Sequence, residues 1–312
     1  RAWWPKQSHT VFQSLIPPDW KMTLRDGELY AQVAFSAAAD QGFEAGGHGV
    51  LKSGSVWMPD NQINGVDCVL PFRFSEGTWS LGTRGPVTLR IGEVENLVTA
   101  RNITADLQGD YPWTEDNPLL LTNVKVETLG GKITMQQLRM PQHDPALLRV
   151  DNISSSELIS AVNPKQFAMS GPVSGALPFW LDNEKWIIKD GWLTNPGPMT
   201  LRIDKDTADA IVKDNMVAGA AINWLRYMEI SRSWTRINLD NLGELTMQAT
   251  IKGTSRVDGK SSSVNLNYTH DENVFTLWRS LRFGDNLQTW FEQHAAIPAP
   301  RSLTGKESEE QQ

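Results

Sequence analysis

Cys68 to Ile91 reads CVLPFRFSEGTWSLGTRGPVTLRI, and Gly175 to Ile203 reads GALPFWLDNEKWIIKDGWLTNPGPMTLRI. Each stretch has Leu-Pro-Phe, a polar run carrying Trp, a Gly-Pro turn and a closing strand that ends Thr-Leu-Arg-Ile. The two Leu-Pro-Phe triplets lie 107 residues apart, and the second copy is five residues longer between its landmarks. A length change of that kind fits a loop, where extra residues cost little closure entropy. Val87, Leu89 and Ile91 share one side of a strand, as do Met199, Leu201 and Ile203. Thr88 and Arg90 match Thr200 and Arg202 on the opposite side. The repeat therefore preserves sidedness as well as letters, and it predicts a chain assembled from similar β-units.

The same period of two runs outward from these copies. Glu28 to Ser36 puts Leu29, Ala31, Val33 and Phe35 on one face. Further strands are expected at Leu119 to Thr128, Gly131 to Leu138, Leu147 to Asn152, Trp186 to Leu193, Ile237 to Leu239, Leu245 to Lys252 and Ser263 to Tyr268. Leu245, Met247, Ala249 and Ile251 should face Val264, Leu266 and Tyr268 across the Asp258-Gly259 break. Gly130-Gly131 is a second hairpin break. Clean alternation means half-buried antiparallel sheet, since parallel α/β cores show continuous apolar runs instead.

Helices are few. Thr207 is placed to cap one from Ala208 to about Ile230, and a second begins near Asp271 with Val274, Leu277 and Leu281 on a stripe that resumes at Leu287, Trp290 and Phe291. A shorter helical segment is expected at Ser154 to Asn163. Gly46, Gly47 and Gly49 around His48 read as a flexible turn. Residues 297–312 lack an apolar period and read as a disordered tail.

Composition narrows function. The 312 residues carry a net charge of -7, which argues against a nucleic-acid partner. The longest apolar run, Met216 to Ile222, is far too short to span a bilayer. The chain opens at Arg1 and is expected to be a mature portion or fragment of something longer. Cys68 is alone, so no intrachain disulfide is possible, and its apolar setting predicts an inert buried thiol. There is no HExxH, GxSxG or CxxC, and His9, His48, His143, His270 and His294 lie far apart in loop-like or helix-end contexts. Gly259-Lys260-Ser261 lacks the first glycine of a phosphate loop and precedes a strand. No catalytic residue, cofactor or metal ligand is expected. Thirteen Trp against four Tyr suits walls that meet amphiphiles or sugars as well as ordinary cores.

The order of SSSELISAVNPKQFAMSGPVSGALPFWL, IIKDGWLTNPGPMTLRI, GELTMQATIKG at Gly243 to Gly253, SVNLNY at Ser263 to Tyr268 and NVFTLWRSLRF at Asn273 to Phe283 resembles the C-terminal region of the YdbH-type proteins, within the AsmA-like group of Gram-negative envelope proteins. The resemblance is good from about Ile153 to Phe291 and looser before that. It implies a mostly-β, long and strongly curved antiparallel sheet forming a trough, with two or three short helices and an apolar lumen for phospholipid. It implies residues 1–150 as a first β-groove repeat region, 151–207 as a second, and 208–296 as helix, terminal β-hairpin and C-terminal helix. On this resemblance the lumen would be lined by Leu29, Val33, Phe35, Val87, Leu89, Ile91, Met199, Leu201, Ile203, Leu245, Met247, Ile251, Val264 and Leu266. It further implies a periplasmic place near the outer membrane, an inner-membrane anchor in the missing N-terminal part, and a small outer-membrane lipoprotein or other strand-donating partner near the last strands. Periodicity alone equally describes a closed sandwich core. Two other classes fit the residues: a carbohydrate-binding or adhesive β-module using Trp113 to Asn117 and Trp180 to Trp186, and an assembly factor for outer-membrane β-proteins that templates strands on an exposed edge.

Overall fold

The computed structural model describes residues 2–8, 13, 16, 18, 21–40, 42–59, 61–162, 167–206, 226–257 and 259–282. All of its strands belong to one antiparallel sheet of 17. In chain order they are β1 (Ala2–Ser8), β2 (Thr23–Ala38), β3 (Gly42–Met58), β4 (Asn61–Ser75), β5 (Thr78–Leu81), β6 (Val87–Glu95), β7 (Thr99–Tyr111), β8 (Leu119–Thr128) and β9 (Gly131–Met140). Then come β10 (Ala146–Ser154), helix α1 (Ser155–Val162), β11 (Phe167–Ser170), β12 (Pro172–Phe179), β13 (Trp186–Thr194), β14 (Met199–Ile203), β15 (Tyr227–Asp240), β16 (Glu244–Val257), β17 (Lys260–Asn273) and helix α2 (Val274–Arg282).

The ladders make a meander in which most strands pair with their neighbours in sequence, the exceptions being strands broken in two. Strands β5 and β6 lie end to end between β4 and β7. Likewise β11 and β12 run end to end, as do β13 and β14, with β15 beside the latter pair. The two sequence copies therefore occupy equivalent places. In each, the Leu-Pro-Phe strand turns into a strand that the Gly-Pro segment breaks in two. Val87 and Met199, which directly follow Gly85-Pro86 and Gly197-Pro198, are both buried, 6% and 5% exposed.

One sheet of this width must bend, and β-bulges bend it. Ladder register slips at Ser53, Asn102, Asn123, Asn152 and Asp190, all at positive φ, a region that Asn and Asp adopt more readily than other side chains. At Ser53, Asn152 and Asp190 the unpaired backbone donor is taken by a side chain of the adjoining strand. Ser53 N donates to Asp67 Oδ1 at 2.9 Å, Asn152 N to Ser174 Oγ at 2.9 Å, and Asp190 N to Asn238 Oδ1 at 2.8 Å. Gly65 (φ 67) faces Gly92 across the ladder, leaving a crease between β4 and β6.

Several expected elements need correction. Gly46, Gly47 and Gly49 are the middle of the 17-residue β3, not a turn. A Cβ on Gly47 would stand 1.9 Å from Gln32 O, so this glycine permits close strand approach. His48 and His270 are accordingly on strands. The helix expected to reach Ile230 cannot, because β15 begins at Tyr227; positions 207–225 lie outside the described residues, as do the tail and the stripe beyond Arg282. Ile237 to Leu239 is only the apolar end of β15, whose other half carries the polar series Ser231 to Arg236. Strand β17 continues through Asp271 to Asn273, which then caps α2 by accepting from Thr276 N at 2.9 Å. The hairpin after β8 centres on Leu129-Gly130, both at positive φ, one residue earlier than expected. Helix α1 matches the expected segment, with Ser154 Oγ accepting from Glu157 N at 3.3 Å.

Glycine spacing gives a stability test. Gly175 also lies against backbone, its Cβ position 2.0 Å from Trp192 O, whereas nothing comes within 4 Å at Gly49. Gly47→Ala and Gly175→Ala should each cost about 1–3 kcal/mol or more in urea denaturation, and Gly49→Ala should be close to neutral. Equal effects at all three positions would contradict this packing.

Candidate functional site

Ladder register carries each apolar phase across the sheet. Leu29 pairs with Leu51, Leu51 with Cys68, Cys68 with Leu89, and Leu89 with Ala105. Val87 leads through Leu107 and Leu121 to Leu138. Leu138 shares a cluster with Met135, Met140 and Ala146, packed on by Trp113, Leu148 and Phe179. From there Leu148 pairs with Leu177, and Val150 with Gly175, which faces Leu193. A second cluster holds Met199, Met228 and Ile230, with Leu201, Ile251 and Val264 against it. Met247 pairs with Ile237, Leu245 with Leu239, and Ile251 with Leu266. The expected lining positions thus fall along a single apolar face, from β2 to β17.

What covers that face decides whether it is a core. A sandwich would lay a second sheet on it and bury most of these side chains. No second sheet exists among the described residues, and only thirteen of their hydrophobic side chains are buried. Leu29, Val33, Leu89, Ile91, Leu201, Ile203, Leu245, Met247, Ile251 and Val264 are all half-exposed, and Phe35 is exposed. Among the described residues nothing is laid over this face, and most of its side chains keep contact with solvent. Cys68 is half-buried on the face, and burial raises its thiol pKa.

The opposite face is polar by the same alternation. Arg90 donates to Asp106 Oδ1 from both terminal nitrogens at 3.1 Å and to Ala105 O at 3.0 Å. Arg101 Nε reaches Glu93 Oε2 at 2.8 Å, and that hydrogen bond holds the Glu93 carboxyl below the usual range. Asn102 Nδ2 donates to Glu127 Oε2 at 2.8 Å and lowers its pKa likewise. The Arg101–Glu93 and Asn102–Glu127 pairs are solvent-exposed, so they orient the face more than they stabilise it.

Sequence reasoning missed how the groove ends. On β17 the apolar phase runs into His270 and Glu272, whose Nε2 and Oε2 lie 3.4 Å apart and whose register partners are Met247 and Leu245. Beside it, Val274 N donates to Gly243 O at 2.9 Å and the Phe275 ring packs on Gly243, fixing the start of α2 to the β15–β16 turn. Among the Trp residues read as possible sugar contacts, Trp113 belongs to the first apolar cluster, and Trp186 has Lys185 and Lys189 Nζ 4.8 and 4.4 Å from its ring centroid.

A family model described as YdbH-like, intermembrane phospholipid transport protein YdbH, matches residues 1–296. The chain is 78% identical over 311 residues to the probable phospholipid transport protein YdbH of Escherichia coli (strain K12); all of this chain is covered, but only 35% of that protein. The chain thus spans about a third of the length of this curated relative. No solved structure matches. No helix among the described residues is long and apolar enough to cross a membrane.

An open groove and a sealed core respond differently to charge. Leu89→Glu and Leu201→Glu leave the carboxylate at a half-exposed position and should cost about 1–2 kcal/mol, with circular dichroism unchanged. Met228 is 0% exposed, so Met228→Glu buries an unpaired charge and should unfold the chain. Unfolding by Leu89→Glu as well would show that the face is closed.

Proposed function

Because the chain belongs to the YdbH-like family, we propose that it is a segment of an intermembrane phospholipid conduit, with acyl chains carried along the apolar face and headgroups kept at the open side. The single observation that supports this most is the uncovered apolar face running from β2 to β17. Moving a sixteen-carbon acyl chain through water costs on the order of 10 kcal/mol, at roughly 0.8 kcal/mol per methylene. At about 1.4 kcal/mol per decade, that barrier suppresses exchange by roughly seven orders of magnitude. A continuous apolar surface removes most of it and needs no reacting group. The sheet is wide enough for such a path: strands about 4.8 Å apart give roughly 60 Å along the hydrogen-bonding direction, about three acyl-chain lengths.

The residues proposed to line the path are Leu29, Val33, Phe35, Val87, Leu89, Ile91, Met199, Leu201, Ile203, Leu245, Met247, Ile251, Val264 and Leu266. We place the segment in the periplasm toward the outer membrane, with an inner-membrane anchor in another part of the longer protein. The proposed partner, a small outer-membrane lipoprotein or another strand donor, would pair with β17, which has a ladder on one side only among the described residues.

Chain purified from a Gram-negative periplasm and extracted with organic solvent should yield about one or more phospholipids per molecule by mass spectrometry. The double variant Leu89→Glu/Leu201→Glu should yield several-fold less while remaining folded. Folded wild-type chain that is free of lipid would refute the conduit. Cys68 supplies an independent readout, since it lies on the groove between Leu51 and Leu89. A water-soluble maleimide should label it faster after delipidation, and identical rates before and after would place the lipid elsewhere.

A further inference from the structure

The polar face carries one feature that a lipid path does not use. Trp192 of β13 and Trp234 of β15 lie diagonally across their ladder, and their rings stack with centroids 4.9 Å apart and planes 8° from parallel. Both belong to the polar phase: Trp192 pairs with Arg236, and Trp234 pairs with Thr194 and Thr250. Trp234 is 50% exposed despite the stacking. Along β15, Arg232, Trp234 and Arg236 alternate on this side, and Arg232 stands directly opposite Lys252. Like charges facing each other across a ladder are unfavourable. Among the described residues neither Arg232 nor Lys252 has an ion-pair partner, although the chain as a whole has net charge -7.

We propose that the Trp192–Trp234 stack, with Arg232 and Lys252 beside it, is a binding platform for an acidic glycan. A flat indole face accepts the C–H face of a pyranose, and a pair of rigid, mutually braced rings loses little freedom on binding. The two unpaired cations supply complementary charge for a carboxylate on the sugar. Thr250 and Asn267, paired neighbours on β16 and β17, add hydroxyl and amide groups on the same side. A bilayer surface is disfavoured because the cross-strand neighbours of the stack are Arg236, Thr194, Thr250 and the small, buried Ala176, with no large aliphatic side chain among them to insert. Single-stranded nucleic acid needs successive aromatic steps along a basic channel, which one stacked pair with two cations beside it does not make. The platform lies on the side of the sheet opposite the groove, so it would tether the conduit to a glycan network without entering the lipid path.

The test uses the 312-residue chain and purified peptidoglycan sacculi, whose N-acetylhexosamine strands carry carboxylates, with uncharged chitin as comparator. Wild type should co-sediment with sacculi at low salt and more weakly with chitin. Trp234→Ala should bind sacculi at least about tenfold more weakly, the scale of a truncated aromatic anchor, and Trp234→Phe should recover most of that loss. Arg232→Gln/Lys252→Gln should weaken binding and flatten its salt dependence. Leu89→Glu, on the other face, should bind like wild type, which separates this outcome from that of the conduit. Wild type that does not sediment, Trp234→Ala that binds as tightly as wild type, or equal retention on chitin would each overturn the proposal.

Discussion

Among the described residues one face of the sheet has no second layer to hold it, so its ladders carry the structure. Each backbone hydrogen bond contributes only about 0.5–1.5 kcal/mol net, but the contribution recurs at nearly every residue from β2 to β17. The two buried clusters, around Met135 to Ala146 and around Met228, are local knots in this fabric and do not form a common core. This dependence explains why the bulges are so carefully completed. Where Ser53, Asn152 and Asp190 interrupt the ladder, Asp67, Ser174 and Asn238 accept the donors that would otherwise be lost. The sheet bends without leaving those groups unpaired.

The two faces follow from one alternation, yet they do different work. The polar face is held in order by hydrogen-bonded pairs such as Arg90 with Asp106 and Asn102 with Glu127. The apolar face is left half-wet by every expected lining residue that is described there, apart from the buried Val87 and Met199 and the exposed Phe35. Such an arrangement would be a fault in an enzyme core, where partial solvation wastes burial. In the proposed conduit it is the state that an amphiphile would complete by supplying the missing layer.

Much of this was legible in the letters, for a simple reason. Period two is dictated by strand geometry, so Val87, Leu89 and Ile91 announce their shared side wherever the sheet runs. The matched copies announced equivalent positions, and Val87 and Met199 occupy them. Illegible were the stretches where a ladder, not a side chain, makes the strand. Gly42 to Met58 is rich in small residues, and at Gly47 a neighbouring backbone presses close; composition alone makes that stretch look like a turn. The polar half of β15 failed similarly: Ser231 to Arg236 has no apolar phase to read, since its outward side holds the Trp and Arg series. Residues spanning a bulge also break the count, as Asn123 does between the phases of Leu121 and Val124. The difference between groove and core could not be read at all, because it depends on whether another layer arrives.

The meander has a consequence for how the molecule comes to exist. Because most ladders join strands close in sequence, most of the sheet forms without first closing a long loop, and low contact order favours fast assembly. Each added strand needs only the one before it, so growth resembles the stacking of a solenoid, with nearest-neighbour coupling in place of a single nucleus. A chain built on this plan can be extended or shortened by whole units during evolution, and its product can begin folding at one end while the other is still being made. The Gly-Pro breaks at Gly85-Pro86 and Gly197-Pro198 stand at matching places in two such units.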